Sequence, residues 1–581
     1  MQHLVTYAVA IVLSTSASLA GDAITIDGLF DDWILVEVTQ FDVSGDGTAE
    51  DFAELKITND NDFLFIKFSL RNGERLLQDS NSIRLYLDTD NRADTGRLFH
   101  GIGAEIEWCF GCRQGIFYSA SGARTIQQAE LVLRSAPTVS SKDFELAFSL
   151  KSEPMTGGTT QVPASLAVVL AASDEVDLVP DQPGGVVYTI DKSSVEPPSP
   201  MPLTREHESD LRVMTYNTLG GGLLNPLRQE AFRRLIQAVH PDIMAFQEQG
   251  GAEQVRMLLE SWLQESDLNS VMLGNNNLVV SKYPILDQAL LTSSGRTMAV
   301  LLQTEPTLGS NLLILNSHLA CCTQDALRQR DADELTMILR NWRTGAGPFF
   351  LPDRTPIIHL GDFNLVGASH QLRTLVEGDI VDEAQFGDDF SPDWDGSALT
   401  DLFSRHTSIG MGYTWRNDNS SFSPGKLDYI LYSDSVIELG RHFVLNTLAM
   451  SPDDLVLYGL AADDTRVASD HLPRIMDVAS ENPVSVQDRT ADIPQDFQLF
   501  PAFPNPFNPM TRIAYSLKVA TQVSLTVYDL LGREVEVLVD GFQAAGRHEI
   551  LFDASGLASG IYAYKLRALG VSQTKKLMLA K

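Results

Sequence analysis

The sequence predicts a multidomain protein, with a β-sandwich in front, an α/β domain in the middle and a second β-sandwich behind. Three observations carry this prediction. Two polar, proline-containing stretches, "DKSSVEPPSPMPLTREHESD" (191–210) and "SENPVSVQDRTADIPQD" (480–496), interrupt the apolar patterning and read as linkers. The segments outside them alternate apolar and polar residues, as half-buried strands do. The segment between them alternates strand-like runs with helix-like periodicity. A chain of 581 residues suffices for about three or four domains. The expected partition is 1–20, 21–190, a linker over 191–210, 211–478, a linker over 479–497, and 498–581.

At the start, an apolar run from Ala8 to Leu13 is followed by small residues ending in Ser18-Leu19-Ala20. That pattern reads as a secretory signal cleaved after Ala20. No other stretch is long and apolar enough to span a membrane. The composition, 44% apolar and 20% charged, is that of a globular chain. Its formal net charge of −33 suits an extracellular protein that needs solubility. It opposes polyanion binding unless a local basic groove compensates. Four cysteines fall in two close pairs. Cys109 and Cys112 read as a local staple or as free thiols, and the vicinal pair Cys321 and Cys322 is left undecided.

The first segment (21–190) contains "AITIDG", "ELKIT", "FLFIKFSL", "SIRLYLDT", "AEIEW", "DFELAFSL", "SLAVVLAAS" and "GVVYTI". Short strands parted by Asp, Asn and Gly predict an antiparallel sandwich. The opening "ITIDGLFDDW" with "DNDFLFIKFSL" resembles the family 9-like carbohydrate-binding modules of secreted enzymes, which implies a glycan as a partner. "DTDNRADTG" gives Asp88, Asp90 and Asp94 the spacing of a calcium loop, and also fits a surface hairpin turn, the reading preferred.

In the middle segment, polar residues sit where apolar runs stop. Asn217 ends "VMTYN", Glu248 ends "IMAFQE" and His318 ends "LLILNSH". Asp362 and Asn364 follow "PIIHLG", Asp428 lies in "KLDYIL", and Asp470 and His471 lie in "ASDHLP". Asp and Asn after a strand are ordinary turn formers. Six strand ends with the same habit nevertheless predict convergence on one site, because a buried charge needs a partner. Carboxylates and amides are hard oxygen donors suited to Mg²⁺ or Mn²⁺, and two histidines are too few for a typical zinc site. With histidines able to donate to a phosphoryl oxygen, the set suits hydrolysis of phosphate esters.

The motifs "YN", "QE", "NSHL", "GDFN", "LDYI" and "SDHLP", in this order, resemble the endonuclease/exonuclease/phosphatase (DNase I-like) superfamily. The resemblance implies a four-layer α/β sandwich with its site at one edge of paired sheets. It implies Glu248 as the main metal ligand with Asn217 beside it and Asp470 near the metal. Asp362 is then expected to align or deprotonate water, and Asn364 to hold that water or a phosphate oxygen. His471 is expected to donate to the phosphate, oriented by Asp428, with His318 on the opposite side of the phosphate. Gln247 is expected to support the Glu248 loop.

The substrate is less legible. Trp415 in "GYTWR" reads either as a stacking platform or as half-buried packing. Arg328 and Arg330 read as phosphate contacts or as decoration of a helix, the latter favoured for at least one. No dense Lys/Arg stretch tracks a nucleic-acid backbone, and "GDDFSPDWDG" adds acid nearby. A phosphodiesterase acting on nucleic acid, a phospholipid headgroup or a small phosphodiester is therefore expected, ahead of a phosphatase. The rival from another class is a non-catalytic surface-binding or adhesion protein that uses the front module on a degraded hydrolase scaffold.

The last segment reads as strands again: "RIAYSL", "QVSLTVYDLLGREVEVL", "GRHEILFDAS", "GIYAYKLRA" and "SQTKKLMLAK". Its "FPNPFNPMTRIAYSL", "VYDLLGREV" and "LASGIYAYKL" resemble the C-terminal sorting domain of the type IX secretion system. That implies an Ig-like sandwich, export by the type IX machinery, and release or surface attachment outside the cell.

Overall fold

The computed structural model describes residues 23–192, 198–480 and most of 498–580. The signal expected over 1–20 and nearly all of the second linker lie outside the described residues.

The front sandwich consists of two antiparallel sheets. One runs in the order Gln40–Phe41, Phe52–Asn59, Phe63–Leu70, Asp143–Ser149 and Arg134–Ala136. The other centres on Ser165–Ala171, Arg84–Asp88 and Ile106–Cys109 and continues through Gln114–Ser119. Alternate residues face inward, so Phe52, Ile66, Phe68, Leu85, Trp108, Phe144 and Val168 form one core. Cys109 and Cys112 are disulfide-bonded, whereas Cys321 and Cys322 are free.

Two expectations for this module change. "AITIDG" is not a sandwich strand. Ile26 bridges Met411 of the middle segment instead, and Ile24, Ile26 and Trp33 pack with Tyr413, Val444 and Leu472. Glu145 holds the turn in place, accepting from the Asp27 and Gly28 amides at 2.6 Å and from the Trp33 indole at 2.8 Å. The proposed calcium loop also loses a member. Asp94 turns outward to an ion pair with Arg92 at 2.9 Å, while Asp88, which accepts from the Arg92 and Gly103 amides, and Asp90 bring oxygens within 4.8 Å of Glu105 instead.

The middle segment is a four-layer α/β sandwich. Its first sheet has the order Asn269–Leu273, Asn277–Ser281, Ile243–Gln247, Leu211–Asn217, Arg474–Val478, Leu439–Val444. The second runs Ile285–Leu290, Thr297–Leu302, Leu312–His318, Ile357–Asp362, Asp428–Tyr432, Thr400–Asp401. Val213, Ile243, Val279, Val300, Ile314, Ile358 and Ile430 fill the space between the sheets. Helices Gln229–Val239 and Ala252–Leu263 cover the outer face of the first sheet. Helices Asp325–Arg343 and His370–Glu377 cover that of the second. Strands buried on both faces explain the nearly continuous apolar runs "VMTYN", "IMAFQ" and "LLILNS".

The last segment packs a four-stranded sheet on a three-stranded one around Ile513, Tyr515, Val527 and Tyr564. Here "QVSLTVYDLLGREVEVL" is not one strand. Thr521–Asp529 and Glu534–Gln543 are two strands that pair antiparallel.

A buried ion pair joins two strands of the middle segment's first sheet. Arg212 meets the Asp477 carboxylate with two nitrogens, at 2.6 and 2.7 Å, and donates to the Leu203 and Val239 carbonyls. Both side chains are at most 2% exposed. Removing one partner strands the other charge, so Arg212→Ala is expected to cost about 3–5 kcal/mol of stability. The urea midpoint of the intact protein, followed by tryptophan fluorescence, measures the loss.

Candidate active site

Strand register places the first three groups. In the second sheet His318 pairs with Asp362 on a parallel neighbour, and Asp362 pairs with Asp428 on the antiparallel strand beyond. The three side chains thus stand abreast at one sheet edge. Gly361 makes this spacing feasible, since at φ +132° a Cβ there would meet the Ser317 carbonyl at 2.0 Å. The first sheet contributes Asn217, paired in parallel with Gln247, and Glu248 follows immediately with φ +57°.

Asn217 joins the sheets. Its Nδ2 donates to Glu248 Oε1 at 3.2 Å and to Asp362 Oδ2 at 2.9 Å. Glu248 Oε2 accepts from the Gly220 amide at 2.8 Å, leaving a side chain 32% exposed at the mouth of the site. Asp362 is buried and takes three hydrogen bonds, from Asn217 Nδ2, Asn364 Nδ2 and the Asn364 amide. Asn364 thus closes the turn after its strand and touches the site at once. His318 Nε2 lies 3.7 Å from Asp362 and 3.8 Å from Glu248, beyond direct hydrogen bonding but open to a shared group between them.

His471 Nδ1 and Asp428 Oδ2 are 2.8 Å apart, and His471 Nε2 points to within 3.8 Å of Asp362 Oδ2. Burial alone pushes the imidazole pKa down. The Asp428 and Asp362 carboxylates outweigh it and raise the value from 6.5 to about 10. Burial likewise pushes the Asp362 carboxyl above its usual range, against the pull of both histidines. Asp470 sits on the flank, where Oδ2 accepts from the Trp415 indole at 3.1 Å and Oδ1 is buried without a hydrogen-bond partner among the described residues.

Other expectations resolve differently. Gln247 is buried and ties the sheets together, donating to Thr215 Oγ1 and Asn316 Oδ1. Arg328 is neither a phosphate contact nor surface decoration. It is fully buried and holds the Ala320 and Cys322 carbonyls, while Arg330 donates to Ser293 on the exterior. Trp415 is half-buried and positions Asp470. Sequence reasoning missed Thr414, whose Oγ1 accepts from the Leu427 and Asp428 amides, and Ser469, which bonds the Asn217 carbonyl and the His471 amide. It also missed Arg474, which donates to the Asp428 carbonyl. Ser469 and Arg474 flank the "DHLP" motif, and that adjacency was the available signal.

The donor set fits a hard divalent cation. Glu248 and the orphaned Asp470 Oδ1 offer carboxylate oxygens, the Asn217 oxygen accepts from the Leu219 amide, and Asp362, Asp428 and His471 bring ligand atoms within 4.8 Å of one another. His471 and Arg474 both sit against Asp428, amid the carboxylates of Glu248, Asp362 and Asp470.

The Endonuclease/Exonuclease/phosphatase family model matches residues 214–471, and that for the Secretion system C-terminal sorting domain matches residues 501–580. No curated protein matches the sequence. Solved structures similar to this one include the human Nocturnin catalytic domain, at 18% identity and a TM-score of 0.31, covering 47% of this chain and 96% of its own. Sphingomyelinase C from Streptomyces griseocarneus is 16% identical with a TM-score of 0.28, over 46% and 99% of the two chains. The AP endonuclease LMAP from Leishmania major is 14% identical with a TM-score of 0.28, over 48% and 93%.

The Asp428–His471 pair yields a direct test. A His pKa raised on folding stabilises the fold fully below pH 6.5, and that contribution is lost as pH climbs through about 10. In metal-free protein, NMR of the His471 ring is expected to show an imidazolium persisting through pH 8. Asp428→Asn should bring the titration down towards the ordinary histidine range.

The site therefore lies in a domain of the endonuclease/exonuclease/phosphatase family, a hydrolase domain carried by a chain that ends in a type IX sorting domain and is thereby marked for secretion or cell-surface attachment.

Proposed function

We propose that residues 211–478 hydrolyse a phosphodiester with the help of Mg²⁺ or Mn²⁺. The observation that carries this reading is the charged Asp428–His471 pair facing Asp362, with Glu248 and Asn217 alongside. His471 Nε2 holds a proton where a non-bridging phosphate oxygen would sit, and Asp428 fixes the ring so that this proton points inward. Asp362 takes the role of aligning water and accepting its proton, its carboxylate held rigid by Asn217 and Asn364. His318 contacts the phosphate from the other side.

Glu248, Asn217 and Asp470 are the residues proposed to hold the cation. Asn217 presents its NH₂ to both carboxylates, and its Oδ1, which accepts from the Leu219 amide at 3.0 Å, keeps a second lone pair for the cation. When bound, the cation supplies neutralisation of the phosphate's charge. The half-buried Trp415 and the acidic surroundings favour a small or headgroup-sized ester over a long polyanion.

The intact protein should be assayed with Mg²⁺ on plasmid DNA, RNA, sphingomyelin, inositol phosphates and a generic phosphodiester. EDTA is expected to abolish turnover, and His471→Ala and Glu248→Ala each to lower kcat by about 10²–10⁴-fold. Unchanged rates in both variants would refute the site. Inactivity on every substrate would return the protein to the surface-binding reading.

A further inference from the structure

A second group of carboxylates stands far from this site, at one edge of the front sandwich. Asp42, Asp46, Asp51 and Asp177 each present an oxygen, and all four oxygens lie within 4.8 Å of one another. Oxygens bound to one calcium ion at about 2.3–2.6 Å can be no further apart than about 5 Å, so a single ion can reach the whole set. Asp42 and Asp177 are 7% and 1% exposed. Both carboxylate oxygens of Asp42, and Oδ1 of Asp177, are buried and accept no hydrogen bond among the described residues.

Buried carboxylate oxygens normally have partners. Here the partners are too few. Asp177 Oδ2 accepts from the Phe52 amide at 2.7 Å, and Asp51 accepts from the Gly45 amide at 3.2 Å. Arg71 is the cation at this edge, its Nη1 3.3 Å from Asp51 Oδ1 and 3.6 Å from Asp42 Oδ2. Its guanidinium is otherwise engaged with the Phe52 and Asp42 carbonyls. One positive charge thus faces four aspartates, with Asp181 adding another beside Asp46. The loop is built to converge: "DVSGDGTAED" spaces Asp42, Asp46 and Asp51 with glycines, and Gly45 takes φ +84° so that its amide turns to Asp51.

We infer that Asp42, Asp46, Asp51 and Asp177 form a calcium site. All its donors are oxygens, and their irregular disposition suits calcium, which tolerates flexible geometry, better than the strictly octahedral magnesium. The ion would link the loop between Gln40–Phe41 and Phe52–Asn59 to Asp177, which leads into Leu178–Val179 of the opposite sheet. It therefore clasps the two sheets at an edge. This site is distinct from the Asp88–Asp94 turn, and it does not depend on the proposed hydrolysis.

The test uses the full chain, stripped with chelator, returned to excess MgCl₂ and titrated with CaCl₂ by calorimetry. Wild type is expected to bind one calcium here and to melt at a higher temperature with it. Asp46→Asn, at an exposed position that leaves the fold intact, should weaken this calcium binding at least about tenfold. Asp42→Asn and Asp177→Asn should abolish it, and where either fails to fold Asp46→Asn decides. Glu248→Gln should leave calcium uptake unchanged, and Asp46→Asn should leave phosphodiester turnover unchanged. No uptake by wild type, equal uptake in wild type and Asp46→Asn, or loss of uptake in Glu248→Gln would each overturn the site.

Discussion

Asn217 Nδ2 holds one carboxylate from each half of the middle domain, Glu248 beside its own strand and Asp362 from the facing sheet. Two acids brought this close repel each other, and a shared donor between them makes the approach tolerable. The rest of the site is arranged around that junction. Asp362 in turn orders Asn364 and faces both histidines, and His471 is locked from behind by Asp428. One layer further in, Gln247 and Asn316 repeat the device, crossing between the sheets where no carboxylate is involved. An apolar inter-sheet core lies between the same two sheets that carry this polar edge.

The front sandwich is more than an appendage strung on a linker. Ile26 bridges Met411, Ser135 meets Ser423, Gln78 accepts from the Ser423 amide, and Arg134 lies over the Tyr413 ring. These contacts all fall on residues 411–423, the segment that carries Trp415 and runs into Asp428. The packing of one domain thereby supports a wall of the site in the next. This explains why "ITIDGLFDDW" reads as patterned although it forms no strand of its own sandwich: its apolar residues are satisfied across the boundary.

Much of the fold was legible because strand runs such as "FLFIKFSL" and "LRVMTYN" coincide with strands in the structure. Legibility failed where a local pattern had two physical solutions. "QVSLTVYDLLGREVEVL" alternates at both ends, yet it forms two antiparallel strands, because the break in period at "YDLLG" alone does not tell one bent strand from two. Only part of the Asp88–Asp94 spacing survives, since Asp94 pairs with Arg92 while Asp88 and Asp90 bring oxygens within 4.8 Å of Glu105, a residue outside the run. Arg328 sat on a helix with mixed neighbours, and the Ala320 and Cys322 carbonyls, Gln371 and Asp325 together explain its burial.

By itself the sequence determined the order of domains, the strand ends that bear chemistry, and the kinds of donor available, since all of these are written in local period and residue type. Tertiary structure alone decided which of those groups touch. Register set His318, Asp362 and Asp428 abreast, and sheet packing brought Asn217 across to Asp362. The Asp42, Asp46, Asp51 and Asp177 cluster belongs to the same class, because Asp177 is far from the others along the chain. Contacts between distant residues depend on how sheets stack, and no local pattern encodes that geometry.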